Sequence, residues 1–240
     1  MKHYFKPIAL AFTAGLTIAA PFSVSAFVID DFSASQRVTD RGNTPGASSS
    51  ILSNLTGTEL GNASRTLVAE ATGGKMANTT RIEIKEGGLM LSNSAGSSGR
   101  VILDWHFDAI DFNRFGNALT LRVNSIENRP LDPSVTAEII INGASRSGVK
   151  AISHGAGDLS FHLADFSDRI AMTTASNLRL DLGGPLGWDA RFGTLAFAST
   201  VHPDMAPASV PLPPAFYTMA AALLGFVGLS RRKQGSFAGS

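Results

Sequence analysis

The chain contains no cysteine. That absence excludes disulfide scaffolds, Cys-based zinc sites, iron–sulfur clusters and thiol nucleophiles. Tyrosine is nearly as scarce: Tyr4 and Tyr217 sit near the two ends, so residues 27–202 have none. Sugar-binding platforms rely on exposed flat aromatic faces, and this segment offers only Trp105, Trp188 and its phenylalanines. Charged residues make up 16% of the 240 positions and hydrophobic ones 44%. A wholly disordered chain is thereby excluded, and the length suffices for one hydrophobic core. Catalytic motifs are missing too. His106, His154, His162 and His202 neither pair at i, i+4 nor form His-x-His. The chain has no His-Glu-x-x-His, no Gly-x-Ser-x-Gly and no phosphate-cradling glycine loop before a helix. His154, Asp158 and Ser160 make a triad on paper, a coincidence expected among so many serines.

The two ends are more informative. Residues 1–26 carry Lys2 and Lys6, an apolar run over 8–20, and then Pro21-Phe22-Ser23-Val24-Ser25-Ala26. A basic start, a short apolar core and small residues before a cut form a secretory signal peptide, with cleavage between Ala26 and Phe27. The expected route is the Sec translocon. Residues 203–214 form a proline-rich spacer, five prolines in twelve positions, which favours extended chain. An apolar segment follows over 215–229, and Arg231, Arg232 and Lys233 close it. Taken as a helix, 210–229 measures about 30 Å, the thickness of a bilayer's hydrocarbon core. The basic cluster places the distal end in the cytoplasm by the positive-inside rule. Residues 234–240 are a short tail.

Val210-Pro211-Leu212-Pro213-Pro214, a short membrane span and a terminal basic cluster together resemble the PEP-CTERM class of sorting signals, in its VPLPA variant. Pro214 stands where that variant has Ala, and the residues after the basic cluster extend it. The resemblance implies a Gram-negative protein held transiently in the inner membrane and cut near the proline motif by an exosortase. It further implies delivery to the cell surface or outside, in cells that make exopolysaccharide. A permanent anchor is the alternative reading of the tail.

Between the ends, residues 27–202 show short alternating runs bounded by Gly, Asn, Ser and Asp, with no helical period and no fixed repeat. Strands are expected at 27–32, 66–69, 80–85, 89–91, 101–107, 119–124, 137–142, 149–153, 159–163, 178–182 and 192–198. In the third of these, Ile82 and Ile84 point inward and Arg81, Glu83 and Lys85 outward, with a hairpin turn at Gly87-Gly88. In the fifth, Val101, Leu103, Trp105 and Phe107 share the apolar face. Residues 33–64 read as a long polar loop. The fold class expected is all-β, an antiparallel jelly-roll-like sandwich flanked by the leader and the membrane-spanning sorting helix.

The leading functional expectation is an exported, non-enzymatic surface or matrix protein. The opening Val28-Ile29-Asp30-Asp31-Phe32 and Leu159-Ser160-Phe161-His162-Leu163 look loosely like carbohydrate-binding jelly-roll modules. The alternative is therefore such a module, tethered to exopolysaccharide, with Trp188 at a loop exit as its ligand platform. A surface hydrolase is the third class. No cofactor is expected, apart from two candidate structural calcium sites: Asp104, Asp108, Asp111 and Asn113, or Asp30, Asp31 and Asp189 between the first and last strands. Between residues 27 and 209 stand 15 basic and 19 acidic residues, a net −4, so no nucleic-acid partner is expected.

Overall fold

The structure, a computed structural model, describes residues 26–42, 46–72, 78–127, 134–152 and 155–198. The leader residues before Ala26, the proline motif, the apolar segment and the basic cluster lie outside the described residues, as do His154 and His202. Among the described residues no helix is long and apolar enough to cross a membrane.

Fourteen strands and three short 3-10 turns make up the described chain. The strands are β1 (Val28–Asp30), β2 (Gln36–Asp40), β3 (Ser48–Leu52), β4 (Ser64–Glu70), β5 (Thr80–Lys85), β6 (Gly88–Asn93) and β7 (Arg100–Ile110), followed by β8 (Ala118–Glu127), β9 (Val135–Ile141), β10 (Ser145–Arg146), β11 (Lys150–Ile152), β12 (Gly157–His162), β13 (Ala175–Gly183) and β14 (Asp189–Phe197). They form two antiparallel seven-stranded sheets. Sheet I runs β12-β8-β14-β6-β5-β2, with β1 also on β14; sheet II runs β10-β9-β13-β7-β4-β3, with β11 also on β9. From β6 onward the chain changes sheet at every connection except β9-β10-β11. The antiparallel two-sheet sandwich expected from the alternation is the fold the chain adopts.

The alternation explains the layering. In β7 the side chains of Val101, Leu103 and Trp105 are wholly buried while His106 faces solvent. In β5 Ile82 and Ile84 are buried and Lys85 is exposed. The inner faces of both sheets merge into one core that includes Leu67, Leu89, Leu121, Ile139, Leu180 and Phe192. At one pole, Phe27 stacks on Phe115 with ring centroids 3.8 Å apart, and Phe112 and Phe197 close the cluster at 5.0 Å.

Two expectations need correction. Residues 33–64 are not a continuous loop, because β2 and β3 lie within them. Their inward positions include Gln36, Asp40 and serines, so no apolar alternation marks them. The β5–β6 turn also falls one residue earlier than expected. Glu86 and Gly87 occupy it with φ of 54° and 76°, and Gly88 already pairs with Lys85. Two consecutive positive φ values are what a two-residue hairpin needs to match strand twist.

Candidate functional site

Polar side chains are gathered in two places, one inside the sandwich and one on its surface. The interior cluster centres on Arg65 of β4, which is wholly buried with Asp30 of β1. Arg65 Nη1 donates to Asp30 Oδ2 at 2.5 Å, Nε donates to Gln36 Oε1 at 2.9 Å, and Nη2 donates to the Ala34 carbonyl at 2.6 Å. Trp105 Nε1 and the Phe32 amide each donate to Asp30 at 2.8 Å. Gln36 Nε2 in turn donates to the Ser50 carbonyl at 2.9 Å. The network thus joins β1 and β2 of sheet I to β3, β4 and β7 of sheet II. Burial raises the Asp30 carboxyl above its ordinary value, outweighing the opposing charge of Arg65 and the donors from Trp105, Arg65 and Phe32. Every strong donor here is satisfied inside the protein, so the cluster is a clamp between sheets, closed to ligands.

The surface cluster lies on the outer face of sheet I. Pairing across β2, β5, β6, β14 and β8 aligns Arg37, Glu83, Met90, Arg191 and Ser125 in one row. The next row holds Thr39, Arg81 and Ser92, with Asp189 opposite Glu127. At about 4.8 Å per strand the rows span about 19 Å. Between them lies a shallow depression of about 200 Å³ lined by Arg81, Glu83, Ser92, Glu127, Asp189 and Arg191, among others. Arg81 pairs with Glu83. Asp189 Oδ1 accepts the Asn93 amide at 2.8 Å, which fixes the first residue of β14 at the groove wall. Among the described residues no aromatic ring lines this groove. Its guanidinium and carboxylate groups offer directional hydrogen bonds of the kind that fix hydroxyl-bearing or charged ligands.

Trp188 is not an exposed platform. Its side chain is wholly buried, and Nε1 donates to the Ser98 carbonyl at 2.8 Å. Gly184 lies against the ring so closely that an added Cβ would stand 2.7 Å from Cγ. The Gly-rich run before Trp188, read as a loop exit, is what allows the ring to be covered. Trp105 is likewise wholly buried, in the core. Phe27, the first residue after the expected leader cut, packs in the aromatic pole, and its carbonyl accepts the Phe197 amide at 2.8 Å.

Neither candidate calcium set converges. Asp104 accepts from Asn177, Asp108 from Asn62 at 2.7 Å, and Asp111 from Asn113 at 3.0 Å. Asp30 is committed to Arg65, and Asp31 closes a turn on the Ser33 amide. The first and last strands do pair, but β1 meets Leu195 and Ala196, six residues beyond Asp189. Among the described residues no group of three or more His, Asp or Glu side chains is placed to hold a metal ion. Asp158 and Ser160 sit on β12, where Ser160 lies 3.4 Å from the Thr120 hydroxyl.

The outward set Arg81 and Glu83 was legible from alternation. Arg191 and Glu127 were not singled out, and Asp189 was read as a calcium ligand, because only strand order brings β14 and β8 beside β6. Arg65 was missed altogether, since it lies just before the expected strand 66–69, whereas β4 starts at Ser64.

These features define a class: an all-β, antiparallel two-sheet sandwich with a polar groove on one outer face. No protein-family model matches the chain, and no curated protein matches it. Among solved structures, the chain is similar to the family 11 carbohydrate-binding module of the cellulosomal cellulase Lic26A-Cel5E of Clostridium thermocellum. The identity is 11%, covering 75% of this chain and 99% of that one, with a TM-score of 0.40. The same module in complex with a β-1,3-1,4-mixed-linked tetrasaccharide gives a TM-score of 0.39 at 11% identity and the same coverage. A carbohydrate-binding module of the β-sandwich superfamily matches at 12% identity over 65% of this chain and 58% of that one, with a TM-score of 0.32.

Proposed function

We propose that the chain is the precursor of an exported, non-enzymatic β-sandwich protein of the cell surface or extracellular polysaccharide matrix, sorted by an exosortase. The observation that carries this reading is the three-part tail: the motif Val210 to Pro214, the uncharged apolar segment, and Arg231-Arg232-Lys233. The fold is compatible with it. β14 pairs with β1, and the Phe197 amide donates to the Phe27 carbonyl, so the first and last described strands of the sandwich lie side by side. The motif begins a dozen residues after Ala198, enough extended chain, at about 3.3 Å per residue, to reach about 40 Å. Cleavage there leaves every described strand intact. Intact-mass analysis of the protein recovered from the medium tests the proposal: both residues 1–26 and the segment after the proline motif should be missing. A full-length tail on the secreted protein, in cells with an active exosortase, refutes it.

A second reading is favoured by the groove on sheet I: a carbohydrate-binding module that ties the cell to its exopolysaccharide. The ligand would lie across the rows of Arg81, Glu83, Arg191 and Glu127, held by hydrogen bonds rather than by ring stacking. Retardation in gels containing the host's own polysaccharide, reduced at least tenfold by R81A/R191A, is the expected result. Equal mobility with and without polysaccharide sinks this second reading and leaves the sorting proposal untouched.

A further inference from the structure

Sheet II has a depression on its own outer face, away from the groove on sheet I. Its volume is about 370 Å³, and Arg100, Thr136, Glu138, Val149, Asp181 and Gly183 are among the residues that line it. Strand pairing builds it. Gly183, at the end of β13, lies between Arg100 of β7 and Thr136 of β9, and Asp181 lies beside Glu138. Their neighbours Val101, Ala137 and Leu182 point the other way and are buried in the core. At about 4.8 Å per strand, Arg100 and Thr136 stand about 10 Å apart with no side chain between them.

The fold itself does not call for glycine at 183. Glycine inside a strand weakens it and marks a bulge, a tight bend, or close approach of a backbone or a ligand. Gly183 pairs in regular register with both neighbours, so there is no bulge here. Its φ is not positive, so the backbone admits other residues. A Cβ at this position would meet only Thr136 Oγ1, at 3.7 Å, an ordinary contact. Of the described strand glycines, Gly183 alone has partners on both sides and room for a side chain. Gly88 and Gly157 pair on one side only, and a Cβ on Gly193 would be crowded by Arg122 at 3.3 Å. What glycine provides at 183 is an open floor.

The charges around that floor are paired with one another. Asp181 Oδ1 accepts from Arg100 Nε at 3.0 Å, Asp181 Oδ2 accepts from Arg179 Nη2 at 3.1 Å, and Glu138 Oε2 accepts from Arg146 Nη1 at 2.8 Å. An ionic ligand would have to break one of these pairs. A neutral hydroxyl group does not: it donates to Glu138 Oε1 or accepts from Arg100 Nη1, neither of which has a partner among the described residues. Val149, 67% exposed, adds an apolar wall. A few fixed polar groups around an otherwise uncharged surface suit a small organic ligand.

We propose that this depression binds a neutral saccharide, with its hydroxyls on Arg100 and Glu138 and a sugar ring lying over Gly183. The site rests on neither the sorting reading nor the groove on sheet I. Glycine-selective nitrogen-15 labelling of the full-length protein, in sugar-free detergent micelles, tests it by titration with cellotetraose, laminaritetraose and maltotetraose. At least one of these should shift the amide signals of Gly183, Gly99 and Gly184, which all line the depression. Signals of Gly88 and Gly193 in sheet I serve as the contrast. Gly183→Val fills the floor with a good strand former, so it should leave the denaturation midpoint level or higher while weakening binding, read at Gly99 and Gly184, about tenfold or more. R100A should weaken binding to a similar degree. Tetragalacturonate, with a carboxylate on every ring, should bind about tenfold more weakly than the neutral sugar. Undiminished binding in G183V, equal or tighter binding of tetragalacturonate, or no response to any of the three neutral sugars overturns the proposal. Shifts confined to Gly88 and Gly193 also overturn it, while leaving the reading of the sheet I groove in place.

Discussion

Replacing Arg65 with methionine tests the reading of the buried clamp. Methionine keeps much of the volume and length of the side chain but removes three donors: those to Asp30, Gln36 Oε1 and the Ala34 carbonyl. Breaking a wholly buried pair from one side costs about 3–5 kcal/mol, because the surviving charge is left without its partner. Asp30 keeps only the Trp105 and Phe32 donors, and it can escape the cost by taking up a proton. Its carboxyl is already raised above 3.8 with Arg65 present, and losing the cation raises it further. The unfolded chain releases this proton near 3.8, while the folded protein holds it to higher pH. In that window the folded state binds more protons, so stability is fullest below 3.8 and falls as pH rises through the folded value. The wild type loses stability by the same linkage up to its own folded value, so the R65M penalty should be least below that value and grow by up to about 1.4 kcal/mol per pH unit between it and the higher value of the variant. At pH 7 it should reach about 4 kcal/mol. D30N is the contrasting case. It removes the titrating group while the guanidinium stays charged at any accessible pH, so its penalty should fall as pH rises from 3.8 through the folded value of Asp30 and stay level above it. Urea denaturation followed by tryptophan fluorescence across that range measures both. A loss for R65M below about 1 kcal/mol, or one that is flat with pH, refutes the account of a charge stranded in the core.

Three further outcomes are expected. Gly184→Ala places a methyl group against the Trp188 ring and should lower stability by about 1–3 kcal/mol, read from the same denaturation curves; an unchanged midpoint contradicts the tight cover over Trp188. Trp188→Phe deletes the donor to the Ser98 carbonyl and should cost about 1–3 kcal/mol while leaving any polysaccharide retention as it was, since the ring never meets solvent. By contrast, R191A in the groove should change denaturation by less than about 0.5 kcal/mol, as exposed charged positions usually do; a large loss of stability would make the groove a structural feature rather than a recognition surface.

The sequence by itself determined the class of fold and the inward and outward faces of the apolar strands. Period-two alternation in 80–85 and 101–107 settles which side chains turn inward, because a strand has only two faces. Hairpin chemistry placed the β5–β6 turn to within one residue. The tail motif is linear, so its resemblance to a sorting signal needs no fold. What the tertiary structure decided concerns residues whose neighbours are far away in the chain. Trp188 follows a glycine-rich turn and reads as exposed, but Ser98, Gly99 and Gly184 cover it. Arg65 falls just outside the expected strand 66–69, but Asp30, Gln36 and Ala34 supply acceptors from 29 to 35 residues away and make its burial tolerable. Strands β2 and β3 were hidden because the same network allows polar side chains to point inward. The groove arises only when β14 is laid between β6 and β8. A local pattern reports which face a side chain takes, while strand order decides what that face meets.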